Sequence, residues 1–396
     1  MRPVRVGLVG VGGYGRVHLQ HLLEFHRRRE LQLVAAVVLP AEQAPELSLS
    51  LQAIGCEQMT SFDTLVAAQP RLQLDLCIVP TPIHLHAPMT VALLEVGVNV
   101  LVEKPIAATL PEVERIAAAA RRAQRIVAVG FQYLHAPEVQ ALKQQILLGA
   151  IGSLQRIAVH AAWPRSHAYY QRNDWAGRLR VGDAWVCDSP VTNAMSHFLM
   201  LLLYLAAEDA ASVATPVRLH AELYRAQAIE SFDTAVIEMM TASGCQLAFY
   251  GTHSSREAKR PTLVLEGSAG RAEWIQDSHA AVVAGDHRWN QAAQPEPATR
   301  EAMLRAVLRR LRARPAFICT PEFAAAHVRC VEALRRQVPI AAIPSAYLSE
   351  HGFDGTRYTY VPGLDDVLEK AARERTGLRS TGAPWAVTPT AAVVPL

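Results

Sequence analysis

Over residues 1–132, strand-length apolar runs alternate with helical periods. Val4-Arg5-Val6-Gly7-Leu8-Val9 is a short apolar run, followed by a glycine cluster and a helical pattern to about Glu24. Leu31 to Leu39 is a second β-branched run, and Cys77-Ile78-Val79 ends at Thr81-Pro82. Pro88 to Val96 predicts a helix stopped by Gly97, and Val98 to Val102 predicts another buried strand. Leu110 to Ala123 reads as helix and Ile126 to Val129 as strand. Strands and helices in strict alternation predict an α/β domain, a doubly wound parallel sheet with helices on both faces.

After Gln132 the rhythm changes. Leu154 to His160, Val217 to Tyr224, Thr234 to Met240, Gln246 to Tyr250 and Thr262 to Glu266 are longer, amphipathic runs separated by turn residues such as Ser243-Gly244 and Gly267-Ser268. They predict an α+β domain built on a large, open, mainly antiparallel sheet. Pro295-Glu296-Pro297 is expected in a polar loop, and Pro321 to Arg336 in a helix. The expected division is 1–132, then 133–345, then a tail, 346–396, that packs back on the body. An open sheet exposes an apolar face, so a homo-oligomer is expected unless the tail covers it.

With 396 residues, of which 51% are hydrophobic and 19% charged, the chain has ample material for folded cores. A net charge of +3, with basic residues scattered, gives no footprint for nucleic acid. The cysteines form no C-x-x-C pair, and no histidine pair has zinc spacing, so no metal is expected. The apolar run around Phe198 to Ala207 is too short to span a bilayer, so no membrane partner is expected. No leader-like segment precedes Val4, which fits a cytoplasmic protein.

Gly10-Val11-Gly12-Gly13-Tyr14-Gly15 is a G-x-G-x-x-G placed after a strand and at the opening of a helix, the context in which it binds a dinucleotide diphosphate. Gly10 permits the tight turn, Gly12 keeps the diphosphate approach clear, and Gly15 lets helix and strand pack closely. An NAD site usually adds a carboxylate at the end of the second strand. Here that region reads Val37-Val38-Leu39-Pro40, with no acid before Glu42 and no arginine for a 2′-phosphate, so NAD and NADP both remain open.

Thr81-Pro82-Ile83-His84-Leu85-His86, Glu103-Lys104-Pro105 and Gly130-Phe131-Gln132-Tyr133 follow the glycine turn in order. This set resembles the glucose–fructose oxidoreductase / inositol dehydrogenase / MocA family, strongly over the first 135 residues and more loosely to about residue 330. The resemblance implies a Rossmann domain, a second domain whose sheet often mediates oligomer contacts, and NAD or NADP as cofactor. It places Thr81, Pro82, His86 and Glu103 along the dinucleotide and makes Lys104 the catalytic lysine. It also implies a D-x-x-x-H element, matched here by Asn193-Ala194-Met195-Ser196-His197 with asparagine in the aspartate's place. Asn193 can orient His197 on a shared helical face but brings no charge to an imidazolium; Asp188, five residues earlier, could restore that charge from another direction.

Trp163 to Gly177 is dense in aromatic and hydrogen-bonding residues, the combination a sugar needs. Arg165, Tyr169, Arg172, Trp175, Asp188 and Gln132 are the substrate-binding candidates, and the arginines could alternatively grip a carboxylate or phosphate. The expected function is oxidation or reduction of a secondary alcohol of a sugar, polyol or cyclitol, with Lys104, His197 and Asn193 catalytic. Two alternatives stand beside it: a redox-neutral enzyme with tightly held NAD, and a non-catalytic dinucleotide sensor.

Overall fold

The structure is a computed structural model that describes residues 2–394. It divides into two compact units, one of residues 1–131 with 301–325, the other of residues 132–300 with 326–396.

The first unit is a six-stranded sheet in which every pairing is parallel. Its strands are β1 (Val4–Val9), β2 (Leu31–Val37), β3 (Glu57–Met59), β4 (Leu76–Val79), β5 (Asn99–Val102) and β6 (Val127–Val129), in the order β3-β2-β1-β4-β5-β6. Continuous burial, as in Leu76–Val79, marks strands covered on both faces. Helices α1 (Gly13–Arg27), α2 (Ile83–Glu95) and α3 (Leu110–Ala123) connect them. α2 begins at Ile83 rather than at Pro88: the proline sits inside the helix, where it forfeits one backbone bond without ending the run. The strand order reverses between β1 and β4, and such a switch point opens a crevice at the strands' carboxyl ends.

Helix α4 (Pro137–Leu147) and strand β7 (Leu154–Ala162) open the second unit, with α5 (Ser196–Leu205) following. The sheet continues through β8 (Pro216–Arg225), β9 (Thr234–Thr241), β10 (Gln246–Thr252), β11 (Lys259–Gly267), β12 (Arg271–Ile275), β13 (His279–Ala284) and β14 (His287–Ala292). The order is β14-β13-β12-β11-β7-β10-β9-β8, mainly antiparallel, with β7 and β10 paired in parallel. The ten strands are completed by β15 (Ile340–Ala342) and, beside β8, a late strand at Thr390–Val393.

Helix α6 (Glu296–Leu311) starts inside the segment expected to be a polar loop, because Pro297 falls in its first turn, where proline's missing N–H costs nothing. Beyond Arg300 the chain belongs to the first unit: Met303, Leu304, Val307, Leu308 and Ile318 are buried in one cluster with Leu22, Phe25 and Leu33. At about 1.5–3 kcal/mol per buried aliphatic side chain, this cluster holds the returning segment firmly. Helix α7 (Pro321–Gln337) then leads into the tail.

The tail packs on one face of the ten-stranded sheet. It contains a hairpin of β16 (Ser349–Phe353) and β17 (Thr356–Tyr360), then α8 (Leu364–Glu374). Leu364, Leu368, Ala371 and Leu378 are buried with Ala158, Tyr224, Val236, Ala248 and Tyr250 of the sheet. Polar contacts fix the seam: the buried Glu222 carboxylate accepts from Leu378 N at 3.0 Å, and the Tyr224 hydroxyl accepts from Val387 N at 3.1 Å.

Asp365, in the first turn of α8, works against this docking. Burial, with Glu369, Asp366 and Glu257 adding to it against Lys259, pushes its carboxyl up to about 6, and its Oδ1 is buried without a hydrogen-bond partner. A raised carboxyl pKa contributes stability below its unfolded value that is lost as pH rises through the folded value. Asp365→Asn should therefore stabilise the protein at pH 7.5 by about 1 kcal/mol, allowing for solvent screening of a half-buried group, and have no effect below about pH 4. Melting curves of the two proteins across this range check it; an equal shift at both ends would reject the assignment.

No helix among the described residues is long and apolar enough to cross a membrane.

Candidate active site

At the carboxyl edge of the first sheet, β1 runs into the glycine turn. Gly10 has a φ of +89°, the left-handed region in which glycine is unstrained, and a Cβ on Gly15 would sit against the Gly10 carbonyl oxygen. Both glycines do what the sequence implies. Gly12 occupies the cap position of α1 and offers no side-chain cap to the first turn, which begins with Gly13, Tyr14 and Gly15. The first-turn N–H groups of α1 therefore donate to no cap side chain.

Gly12 also has a role the sequence did not suggest. Its backbone N–H donates to Glu42 Oε1 at 2.8 Å, and a Cβ on Gly12 would lie 2.5 Å from that same oxygen. Glu42 Oε2 accepts from Leu39 N at 3.0 Å and Val11 N at 3.3 Å. A 3-10 turn at Pro40–Glu42 brings the carboxylate back to the glycine turn. An acid therefore does stand at the end of β2, displaced along the chain.

Thr81 and Pro82 follow β4, on the other side of the switch point. His86 is buried, with Nδ1 2.7 Å from the Pro105 carbonyl oxygen and Nε2 2.7 Å from that of Thr81. Burial holds its pKa below the ordinary imidazole range, against the opposing pull of both carbonyls. The ring thus brackets the turns after β4 and β5 together. Glu103 is likewise internal: its carboxylate lies 2.8 Å from His18 Nε2 and accepts from Lys104 N at 3.1 Å. Burial pushes this carboxyl up, but the His18 hydrogen bond and the charges of His18 and Lys104 hold it below the usual range. A Cβ on Gly130, just after β6, would meet Glu103 at 2.6 Å, so the glycine beside β6 accommodates this carboxylate. Lys104 is half-buried at the end of β5, and its peptide bond to Pro105 is cis.

The second unit holds the other candidates. Asn193 precedes α5 instead of lying on it, since that helix begins at Ser196; the expected shared helical face is replaced by a turn from Val191 to Met195. His197 is buried, with its ring edge-on to Tyr133 at 5.2 Å. Asp188 is 3% exposed, and both of its oxygens are engaged: Oδ1 accepts from Asn193 Nδ2 at 2.8 Å and Oδ2 from Gly177 N at 2.7 Å. The carboxylate absent at position 193 is thus attached to Asn193 through one hydrogen bond.

Arg165, Tyr169, Arg172 and Trp175 form one stack. The Arg172 guanidinium lies 3.6 Å from the Tyr169 ring centre and 5.1 Å from that of Trp175, and Arg165 lies 4.7 Å from Tyr169. Next to them His253 is fully buried; burial first, then the charges of Arg165 and Arg172, push its pKa well below the usual value. Gln132 donates to Glu296 Oε1 at 3.2 Å and so also serves the interior of this unit.

Residues 4–131 match the model of the Gfo/Idh/MocA family, described as an oxidoreductase family with an NAD-binding Rossmann fold. The match covers about a third of the chain, all of it within the first unit. The chain is 34% identical over 156 residues to inositol 2-dehydrogenase 4 of Saccharopolyspora erythraea, covering 38% of this chain and 43% of that protein. It is 26% identical over 162 residues to the dTDP-3,4-didehydro-2,6-dideoxy-alpha-D-glucose 3-reductase of Streptomyces violaceoruber, covering 41% and 46%. The matched stretch spans less than half the length of both curated relatives. The fold similarity runs further: the WlbA dehydrogenase of Bordetella pertussis, solved with NADH and UDP-GlcNAcA, superposes with a TM-score of 0.68 at 21% identity, over 85% of this chain and 96% of that one.

Proposed function

We propose that this chain is a nicotinamide-dependent oxidoreductase acting on a secondary alcohol of a sugar, polyol or cyclitol. The observation that carries this reading is the shared carboxyl edge of the Rossmann sheet. The uncapped glycine turn after β1, the Thr81-Pro82 turn after β4 and Lys104 after β5 all lie along it. The glycine cradle fits a dinucleotide, because the positions that touch Glu42 and Gly10 leave no room for a Cβ and no cap side chain bonds to the first turn of α1. Backbone N–H groups from Gly13 to Gly15 would hold the diphosphate at the positive end of α1, beside the Gly12 N–H that Glu42 engages. When bound, the nicotinamide supplies the two-electron acceptor or donor for the alcohol carbon.

The protein's own work is on the proton. Lys104 Nζ, as a cation, would donate a hydrogen bond to the reacting oxygen and stabilise the developing alkoxide, while His197, as a neutral imidazole, would accept the hydroxyl proton. Asn193 would position the substrate or His197, with Asp188 supplying the negative charge behind it. Arg165, Tyr169, Arg172 and Trp175 would receive the sugar. The test is a sugar and polyol panel, read by the absorbance of the reduced nicotinamide. Product formed without net reduction would favour the redox-neutral alternative, and binding of NADH without turnover on any member would favour the sensor.

Glu42 favours NAD over NADP in this scheme. A carboxylate fixed at the end of β2 accepts from a ribose diol and repels a 2′-phosphate. Glu42→Gln should weaken NADH binding about tenfold, the loss of one charged hydrogen bond, and narrow the preference over NADPH. Fluorescence titration of both nucleotides measures this; equal wild-type affinities would remove Glu42 from the role. Self-association remains part of the reading, using surface the tail leaves uncovered, and light scattering after size exclusion measures it directly.

A further inference from the structure

The segment from Trp163 to Arg178 has a second side that the proposed reaction does not use. There it walls a cavity of about 1000 Å³ that lies wholly within the second unit. Three stretches build it: the helical turn at His167–Gln171 with the loop to Arg178, the turn at 226–230 between β8 and β9, and the start of the tail hairpin with Thr359.

These walls are tied to one another. His167 Nε2 lies 2.8 Å from Thr359 Oγ1, and Gln227 Nε2 donates to the Thr359 carbonyl at 2.7 Å. Glu230 accepts from Arg178 at 3.0 Å and from Leu179 N at 3.1 Å, while Glu230 N donates to the Gly177 carbonyl at 3.0 Å. Gly177 has a φ of +71°, and a Cβ there would lie 2.6 Å from Ile229 Cγ2, so the close approach of two walls depends on glycine. A site held by this many cross-ties is formed before any ligand arrives.

The lining chemistry is specific. Gln171, Asn173, Ser345 and Ser349 offer uncharged hydrogen-bonding groups, and Tyr170, Ile229 and Leu348 offer apolar surface. Among the described lining residues Arg178 is the one arginine, no lysine is present, and Arg178 is already paired with Glu230. Glu350 adds a second carboxylate, itself paired with Arg357 at 3.4 Å. A phosphate or carboxylate ligand would find no lysine in the lining, and its one arginine already bound to Glu230. A neutral, hydroxyl-rich ligand with C–H faces matches these groups, and the volume exceeds what a single sugar ring fills.

The cavity also adjoins the Asp188–Asn193 pair. Gly177, which lines it, donates its N–H to Asp188, and Asp188 holds Asn193. Tyr170 separates it from the arginine stack: its ring is edge-on to Tyr169 at 5.2 Å, and its hydroxyl lies 3.2 Å from His253 Nδ1.

We infer that this cavity is a subsite for the distal sugar of a neutral oligosaccharide or glycoside whose reacting ring lies on the Asn193 side. The inference rests on the proposed oxidoreductase reading for the identity of the reacting ring. The occupancy of the cavity stands or falls separately.

The experiment uses the full chain with cellobiose, maltose, trehalose, glucose and UDP-glucose, titrated by calorimetry, alone and with NADH. Ala228→Trp and Ser349→Trp each fill the cavity from a different wall, and thermal melts confirm that they fold. At least one disaccharide is expected to bind about tenfold more tightly than glucose, and that advantage is expected to vanish in both variants. A disaccharide advantage that survives both variants, no disaccharide advantage at all, or a preference for UDP-glucose would each overturn the subsite. If the disaccharide binds and the variants abolish it, but no sugar is turned over, the subsite stands and the oxidoreductase reading fails.

Discussion

Lys104→Met is expected to keep most of its affinity for NADH and to turn over a confirmed substrate about 10²–10⁴-fold more slowly than wild type, the range removed with a proton-transferring or alkoxide-stabilising group. The lysine projects from the end of β5, half-buried, beside a glutamate that His18 and the Lys104 backbone already engage. Methionine keeps the length and apolar stem of the side chain and removes the charge. The loss should therefore fall on kcat with KM little changed, the signature of an interaction made chiefly in the transition state. Lys104→Arg should restore little, since a planar guanidinium keeps the charge but cannot place it where the compact ammonium stands. Wild-type kcat in Lys104→Met would remove the lysine from the reaction.

The next largest effect is expected at Asp188. Asp188→Asn should lower kcat about 10²-fold and shift the pH profile, because the only charge attached to Asn193 by the hydrogen bonds described above is lost. Asp188 acts through Asn193 and is a positioning residue, so a merely structural role has to be separated. The exchange variant, Asp188→Asn with Asn193→Asp, separates them. It returns one carboxylate to the pair with the order of the two residues reversed, and should recover at least about tenfold of the loss. A double variant no better than the single one, with both fully folded, would show that Asp188 matters only through its bond to Gly177 N.

What could be read from the chain beforehand was mostly what is local. The glycine turn, the Thr81-Pro82 turn and Glu103-Lys104-Pro105 each sit at the end of a short buried strand, so pattern and chemistry mark the same place. Asp188 was visible as a stray carboxylate, but its partner could not be read, since the pairing depends on how residues 188–195 turn before α5. Glu42 was passed over because the carboxylate was sought at the end of β2. The 3-10 turn that begins at Pro40 moves it on and brings it back. Residues 301–325 carry an ordinary amphipathic pattern, which says that they bury a face but not on which unit. The cavity draws its walls from three stretches spread between His167 and Thr359, and no short sequence window contains it. The contacts that fix the tail on the sheet, such as Glu222 to Leu378, are long-range and leave no local pattern.

The Asp188–Asn193 bond bears on how other sequences are judged. A screen for inactive members of such a lineage that inspects only the residue four places before the histidine would file this chain among the pseudoenzymes. The hydrogen bond puts one negative charge on the two positions jointly, and two aspartates there would place like charges within 3 Å. On the proposed assignment, the quantity to tally is the summed charge of the couple: an aspartate at the first position with an asparagine at the second carries the same charge as the reverse order.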